Sequence, residues 1–136
     1  MQRYLNKVSG PLLDRIDLHV EVTPVTTGKS EDSTTVRERV VQARTVQQDC
    51  FKDFPQIHSN AMMPSQVVKD ICQINEAGRT LLKTAMERLG WSARAYDRIL
   101  KVSRTIADLA DSPEIKIEHL AEAIQYRSLD REGWAA

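Results

Sequence analysis

The sequence predicts a mainly helical domain, in which one strand and one long helix precede a bundle of four shorter helices. Apolar residues recur at helical spacing through most of residues 64–127, and Pro64, Gly90 and Pro113 mark ends of helical stretches. Alternation of polar and apolar residues, the pattern of a strand, is confined to residues 17–22. With 136 residues, 41% of them hydrophobic and 28% charged, the chain suits one folded domain, or a small domain with an appended segment, that needs no disulfide or metal for stability.

The predicted strand stands alone. Residues 17–22 read Asp-Leu-His-Val-Glu-Val, so Leu18, Val20 and Val22 point to one side. A single strand cannot satisfy its own backbone hydrogen-bonding groups, and no second convincing strand occurs in the sequence. The strand must therefore pair with a sheet from elsewhere, which is the first indication that the chain belongs to a larger fold.

A polar stretch over residues 23–33 leads to the predicted long helix. Thr35 and Glu38 have the spacing of a capping box, which predicts that the helix starts at Thr35 and ends near Phe51. Residues 52–63 are predicted to be irregular. One stripe of the long helix is apolar and is expected to face the core: Val36, Val40, Ala43 and Cys50.

The four shorter helices are delimited by their end signals. The first starts at Pro64, and the second covers residues 76–89 and ends at Gly90, which suits a left-handed cap. Ser92 is the expected N-cap of the third helix, which ends before a Ser-Pro break. The last helix spans residues 118–127.

Composition excludes several classes of protein. No apolar run approaches the roughly 20 residues that a transmembrane helix needs, and no signal peptide opens the chain. Cys50 and Cys72 are too few and too far apart for a disulfide framework or a zinc site, and both are expected to be buried thiols. The sequence thus predicts a cytoplasmic protein without membrane contact. Its 19 basic and 19 acidic residues sum to zero charge, which removes the simplest case for a dedicated nucleic-acid binder.

Two local motifs suggest ligand chemistry but fail on spacing. Residues 27–30 read Thr-Gly-Lys-Ser, yet a phosphate-binding loop needs a glycine where Thr23 stands. His119 lacks a second histidine at the spacing of a metalloprotease helix, and His19 and His58 belong to other elements. No metal site is therefore predicted, and each histidine is expected to lie at the surface or to cap a helix.

The segment from residue 79 to residue 104 is strongly basic. It holds seven basic and two acidic residues, a local charge of +5 in a neutral chain. One helical face is expected to carry Arg94, Arg98 and Lys101, and Thr105 and Asp108 are expected to extend it. Arg94 falls in the first turn, where a cation is unfavourable unless an anion is bound nearby, and phosphate is the commonest such ligand. A solvated basic face that pairs with acids elsewhere is the more ordinary alternative, and it stays open.

A second candidate site precedes the predicted strand. The turn before the strand places Arg15 between Asp14 and Asp17, and functional sites cluster at strand ends in α/β sheets. A structural ion pair between Arg15 and either aspartate is the alternative, which the sequence does not exclude.

Four ordered blocks give the chain a resemblance to a known family. The blocks are residues 9–18, with Leu-Leu-Asp-Arg, residues 92–100, with Ser-Ala-Arg, and residues 104–109 and 119–127. Together they resemble the C-terminal part of the magnesium-chelatase-like AAA+ ATPases of the ComM/YifB type. The resemblance covers residues 3–130 approximately. It implies a lid-type helical bundle, preceded by one strand and a long helix from the end of the ATPase core.

The resemblance implies roles for three arginines. Arg15 would be the arginine finger that acts in trans on the nucleotide of the neighbouring subunit. Arg94 would be the sensor-2 residue that contacts the γ-phosphate in cis, and Arg98 is a candidate for a further phosphate contact. The full-length parent would use ATP and Mg²⁺ and would form a ring, expected to be a hexamer. DNA is its candidate partner, for helicase or branch-migration activity.

The resemblance also divides the chain into four segments. Residues 1–22 would end the AAA+ core, residues 23–63 would form a loop, an insertion helix and a linker, residues 64–130 would be the lid, and residues 131–136 a tail. The phosphate-binding loop, the magnesium-binding strand and the sensor-1 residue of the family would all precede Ser9. This chain alone is therefore expected to bind no cofactor and to have no ATPase activity.

The alternative comes from a different class of protein. It is a stand-alone helical binding module that uses the basic face on nucleic acid or on an acidic protein. A phosphate-binding loop encoded upstream would favour the ATPase, whereas a natural start at Met1 would favour the module.

Overall fold

Helices dominate the part of the chain that the structure describes. A computed structural model describes residues 30–128 continuously, and residues 12, 15–20, 22, 24 and 28 before them. The tail predicted for residues 131–136 lies outside these residues. The elements are α1 (Ser33–Cys50), a 3₁₀ turn (Asn60–Met62), α2 (Ser65–Ile71), α3 (Glu76–Leu89), α4 (Ala93–Leu109) and α5 (Ile117–Ser128). The predicted class, a long helix followed by four shorter ones, is confirmed.

Most helix ends lie where their capping residues predict. The Asn75 side chain accepts a hydrogen bond from the Gly78 N–H over 2.8 Å at the start of α3. Gly90 ends the same helix with φ of 58°, in the left-handed region that glycine adopts without a Cβ penalty. Ser92 is the N-cap of α4. No helix formed by the described residues combines the length and the apolar character that crossing a bilayer requires.

The start of α1 differs from the prediction. Asp32, and not Thr35, is the N-cap, and its Oδ1 accepts a hydrogen bond from the Thr35 N–H over 2.7 Å. The helix therefore begins at Ser33, two residues before the predicted start. The capping box was wrong because aspartate is a better N-cap than threonine, and Asp32 has the same three-residue spacing to a free backbone N–H.

The core lies between α4 and the helices around it. Helix α4 packs against α1, α2, α5 and the 3₁₀ turn, and α3 packs against α5. Gly78 permits the close approach of α3 and α5, because a Cβ at this position would lie 2.8 Å from Leu120 Cδ1. The largest fully buried apolar side chains are Met63, Val68, Leu82, Ile99 and Leu120.

Only the C-terminal half of α1 joins the bundle. Ala43 and Gln47 are buried, whereas Val36, Val40 and Cys50 of the predicted inward stripe are exposed. The prediction that the whole stripe faces the core was wrong. Val36 and Val40 lie in the N-terminal half of α1, where every residue is exposed, and Cys50 is the last residue of the helix. Periodicity indicates which face of a helix is apolar, but not how much of that face has a neighbour.

The strand predicted for residues 17–22 is not formed by those of its residues that the structure describes. Residue 17 lies in a bend, and residues 18–20 and 22 have no regular structure. Strand geometry requires a hydrogen-bonded neighbour, and the described residues contain no second strand to provide one. Leu18, Val20 and Val22 are exposed as a result.

Candidate functional site

Residues 15–19, which we call the docked segment, are held by α4 on one side. The Nη1 atom of Arg98 donates a hydrogen bond to Asp17 Oδ1 over 2.6 Å and another to the Arg15 carbonyl. One guanidinium group of α4 thus binds both the backbone and a carboxylate of a segment about eighty positions earlier in the sequence.

Helix α5 holds the docked segment on the other side. Arg127 donates from Nη1 to the Ile16 carbonyl over 3.0 Å. The His19 N–H donates to the Tyr126 carbonyl over 2.8 Å, close to the C-terminal end of the helix. These backbone contacts stand in place of the sheet hydrogen bonds that the alternating sequence predicted.

Arg15 itself presents its side chain to solvent. Its backbone N–H donates to the Leu12 carbonyl over 3.0 Å in a turn. The exposed guanidinium makes no hydrogen bond or ion pair with any residue that the structure describes. The alternative of an ion pair with Asp17 is not realised, because Asp17 binds Arg98. Asp14 lies outside the described residues.

Arg94 is the second residue of α4 and is also exposed. Within the described part of the chain its side chain has no hydrogen-bonding or ionic partner. Arg98 follows one helical turn later, at an axial distance of about 6 Å. Helix α4 therefore carries one exposed guanidinium group in its first turn and, in the next turn, the guanidinium group that holds the Arg15 backbone.

The basic segment over residues 79–104 is partly neutralised by contacts. Arg104 is buried and pairs with Asp108 over 2.9 Å. Lys101 donates to the Ala61 carbonyl over 3.1 Å. Asp108 lies inside the protein and does not extend the basic face, contrary to the prediction. Arg98, which pairs with Asp17, therefore follows the alternative interpretation, whereas Arg104 is buried and is not part of a solvated face.

Sequence reasoning missed a buried polar network centred on Asp108. Its Oδ2 accepts from Gln47 Nε2 over 3.1 Å and from Asn60 Nδ2 over 2.7 Å, and its Oδ1 accepts from Arg104 Nε. The Asn60 N–H donates in turn to Gln47 Oε1 over 3.3 Å. The i,i+4 spacing of Arg104 and Asp108 could have predicted their ion pair. No pattern in the sequence predicted that α1 and the 3₁₀ turn would supply the other partners of Asp108.

The remaining donors of Arg104 are also occupied. Nη1 donates to the Pro113 carbonyl over 2.9 Å and Nη2 to the Ser112 carbonyl over 2.6 Å. A cleft of about 480 Å³ lies beside the network, with Cys50 at its wall. Every described side-chain N or O atom buried in this wall has a hydrogen-bond partner. The network thus stabilises the fold through polar atoms that are hydrogen-bonded within the described part of the protein.

The two thiols are poor nucleophiles for a common reason. Burial raises the pKa of the Cys72 thiol to about 12. Partial desolvation also raises the pKa of the Cys50 thiol, although the residue as a whole is exposed, and the negative charge of Asp108 makes a smaller contribution. Cys72 is buried as predicted, whereas Cys50 is exposed. Both stay protonated near neutral pH, where a thiol is unreactive.

The three histidines differ in burial and in their contacts. His119 Nδ1 accepts a hydrogen bond from the Lys116 N–H over 3.1 Å, which confirms the predicted capping role at the start of α5. His58 is exposed, whereas His19 is buried within the docked segment and not at the surface. Among the described residues, no three His, Cys, Asp or Glu side chains form a group that could hold a metal ion.

Comparison with known proteins places the chain in one family. The family model described as magnesium chelatase, subunit ChlI C-terminal, matches residues 30–127, and the model of magnesium chelatase, subunit ChlI, matches residues 1–30. The chain is 41% identical to competence protein ComM of Haemophilus influenzae over 96% of its own length and 26% of that protein. It is 40% identical to the uncharacterized protein YifB of Escherichia coli K12, over 95% of its own length and 26% of that protein.

A more distant relative is similar over the same extent. An uncharacterized protein of Mycobacterium tuberculosis is 33% identical over 93% of this chain and 26% of its own length. The chain thus spans about a quarter of the length of the curated relatives that it matches. It belongs to the magnesium-chelatase-like ComM/YifB family, of which it represents the C-terminal helical region.

Proposed function

We propose that this chain is the lid region of a longer magnesium-chelatase-like ATPase and that it couples ATP hydrolysis to ring remodelling. One observation supports the proposal. Arg15 and Arg94 each have an exposed guanidinium group without a described partner, and Arg98 joins the segment that contains Arg15 to the helix that contains Arg94. Phosphoryl transfer depends mainly on positioning and on stabilisation of charge. Arginines supplied from outside a phosphate-binding loop therefore suit this chemistry.

The two arginines have different proposed roles. Arg15 is the finger that acts in trans on the nucleotide of the next subunit, and Arg94 is the sensor-2 residue that contacts the γ-phosphate in cis. Arg98 is a third candidate for phosphate contact, although its guanidinium group is engaged with Asp17 and the Arg15 carbonyl.

The proposed cofactors of the parent are ATP and Mg²⁺. The exposed guanidinium groups of Arg15 and Arg94 fit the phosphate part of the nucleotide. The described residues contain no group of carboxylates that fits Mg²⁺, so the metal ligands would be supplied by the rest of the parent. Bound Mg²⁺ neutralises charge on the phosphates during transfer. The chain alone should then bind ATP weakly, and a micromolar dissociation constant in calorimetric titration with ATP and Mg²⁺ would contradict the assignment.

The proposed partners are further copies of the parent, in a hexameric ring, and DNA, in the cytoplasm. The alternative, a binding module that uses the basic face directly, is less well supported because Arg98, Lys101 and Arg104 are engaged within the protein. The isolated chain should bind DNA no better than a neutral protein of this size. Tight binding that falls steeply with salt would favour the alternative.

A subunit-mixing experiment tests the trans role of Arg15. In the full-length parent, Arg15→Ala should lower kcat on the order of 10³-fold or more and spare most ATP affinity, because a finger stabilises charge that develops in the transition state. Mixing Arg15→Ala subunits with subunits that lack the phosphate-loop lysine should restore hydrolysis. Some mixed interfaces then combine an intact Arg15 with an intact phosphate loop.

The same mixture made with Arg94→Ala is the matched comparison. A sensor that acts in cis leaves each subunit type inactive at its own nucleotide, so no recovery is expected. Recovery with Arg94→Ala and none with Arg15→Ala would show that the two roles are exchanged.

A further inference from the structure

We propose that Arg98 and Arg127 are positioning residues that attach the Arg15 turn to the lid helices, so that α4 and the finger move together. The proposal rests on the proposed function, since it concerns the orientation of the finger. It assigns Arg98 to the docked segment and not to the nucleotide of its own subunit.

Arg98 holds the backbone of the Arg15 turn. Its Nη1 atom binds two successive features of the turn, the Arg15 carbonyl and, over 2.6 Å, the Asp17 carboxylate. A carbonyl contact fixes the backbone that bears the finger without touching the Arg15 side chain. The guanidinium group of Arg15 is therefore left exposed while its base is held.

Arg127 is a buried residue of α5 that also contacts the docked segment. Arg127 is 1% exposed, and a buried charge is costly unless hydrogen bonds compensate for it. Its Nη1 donates to the Ile16 carbonyl over 3.0 Å, so part of this compensation comes from the docked segment. The carbonyls of Arg15 and Ile16 are thus bound by arginines from two different helices.

Arg94 lies on the same helix as Arg98 and could therefore transmit a movement to it. Arg94 and Arg98 are one turn apart on α4, about 6 Å along the helix axis. A shift of α4 that accompanies phosphate contact at Arg94 would move Arg98, and with it the backbone of Arg15. The contacts of Arg98 and Arg127 with the docked segment, which we call the clamp, would then link the nucleotide state of one subunit to the finger that this subunit offers to the next.

Kinetics of the full-length parent test the positioning role. Arg98→Ala should lower kcat by about 10- to 100-fold with little change in KM for ATP, because small displacements of a catalytic group have effects of this size. Arg98→Lys, which keeps one cationic donor, should lie between Arg98→Ala and the unmodified protein. Lys83→Ala, an exposed basic residue of the same segment, is the matched control and should leave kcat unchanged.

Subunit mixing distinguishes the clamp from a phosphate contact. Arg98→Ala subunits mixed with subunits that lack the phosphate-loop lysine should recover hydrolysis, since the defect affects only the finger that they offer to a neighbour. Absence of recovery, together with a raised KM for ATP, would show that Arg98 acts on its own nucleotide and would overturn the proposal.

Amide hydrogen exchange on this chain tests the clamp without any ATPase assay. Arg98→Ala should speed exchange of the His19 N–H several-fold. This N–H donates to the Tyr126 carbonyl, and the docked segment that contains it loses its contacts with Arg98 in the variant. Unchanged exchange in both Arg98→Ala and Arg127→Lys would overturn the clamp. If exchange rises but the unmodified full-length parent hydrolyses no ATP, the clamp stands, and the proposed function and the role in orienting a finger both fail.

Discussion

Two arginines of helix α4 each form an ion pair with an aspartate, and the two pairs differ in how deeply they are buried. Arg104 and Asp108 are 10% and 4% exposed and lie four residues apart on the same helix. Arg98 and Asp17 are 29% and 53% exposed and join the helix to a segment far away in the sequence. The first pair belongs to the buried polar network, and the second holds the docked segment.

The difference in burial separates the effects expected from each pair. Removing one member of a buried pair leaves an uncompensated charge in the interior, which costs much more than the pair contributes to stability. An exposed pair contributes little to stability, because water screens both charges. We therefore expect the Arg104–Asp108 pair to govern the free energy of unfolding, and the Arg98–Asp17 pair to govern the position of one segment.

The largest effect is expected at Asp108. Asp108→Ala should lower the free energy of unfolding by about 3–5 kcal/mol, because the Arg104 guanidinium group and two amides lose their common acceptor. Urea denaturation followed by circular dichroism measures the change. A loss below about 1 kcal/mol would show that the buried pair is no more important than an exposed one.

A smaller effect is expected at Gln47, the member of the network that α1 supplies. Gln47→Ala should cost about 1–3 kcal/mol, since Asp108 loses one donor and the Asn60 N–H loses its acceptor. Gln48→Ala, an exposed neighbour on the same helix, is the control and should change stability very little. Equal effects of the two variants would contradict a specific role of the network in holding α1.

A still smaller effect on unfolding is expected at the exposed pair. Asp17→Ala should lower the free energy of unfolding by about 1 kcal/mol or less, and the effect should shrink as salt is raised. Urea titrations at low and high ionic strength test this. A loss as large as that of Asp108→Ala would show that burial does not separate the two pairs.

The smallest effect concerns Asp32, an exposed carboxylate with a backbone partner. The hydrogen bond from the Thr35 N–H lowers the pKa of Asp32 below the ordinary value of 3.8 for an aspartate. A lowered folded-state pKa means that stability is present above the unfolded value and is lost as pH falls through the folded one. The unmodified chain should therefore lose stability relative to Asp32→Asn below about pH 4, because asparagine caps the helix without titrating. An identical pH dependence of the two proteins would contradict this role.

The contrast between the two pairs also shows how far the sequence alone could predict this protein. Gly90 and Ser92 delimit helices through short-range stereochemistry, so the ends they predict are confirmed. The strand over residues 17–22 was predicted from an equally local pattern, but its formation depends on a neighbour that the described residues do not contain. A local pattern thus predicts what a segment favours, and its partner decides what it adopts.

The candidate site shows the same limit. Arg15, Arg94 and Arg98 were identified from charge, position and family resemblance, and their catalytic roles remain predictions. The contact of Arg98 with the Arg15 turn was not predictable, because nothing in either segment specifies the other. Asp108 was placed on the basic face from helical spacing, whereas packing of α1 and the 3₁₀ turn against α4 buries it.

By itself, the sequence determined the helical class, most helix boundaries, the family and the arginines worth testing, since all of these follow from local stereochemistry or from ordered motifs. The tertiary structure alone decided which polar residues meet. It joined Gln47, Asn60 and Asp108, and it placed Arg98 on the docked segment. The physical reason is that burial and hydrogen-bond partners across dozens of residues depend on how the helices pack, which no local pattern encodes.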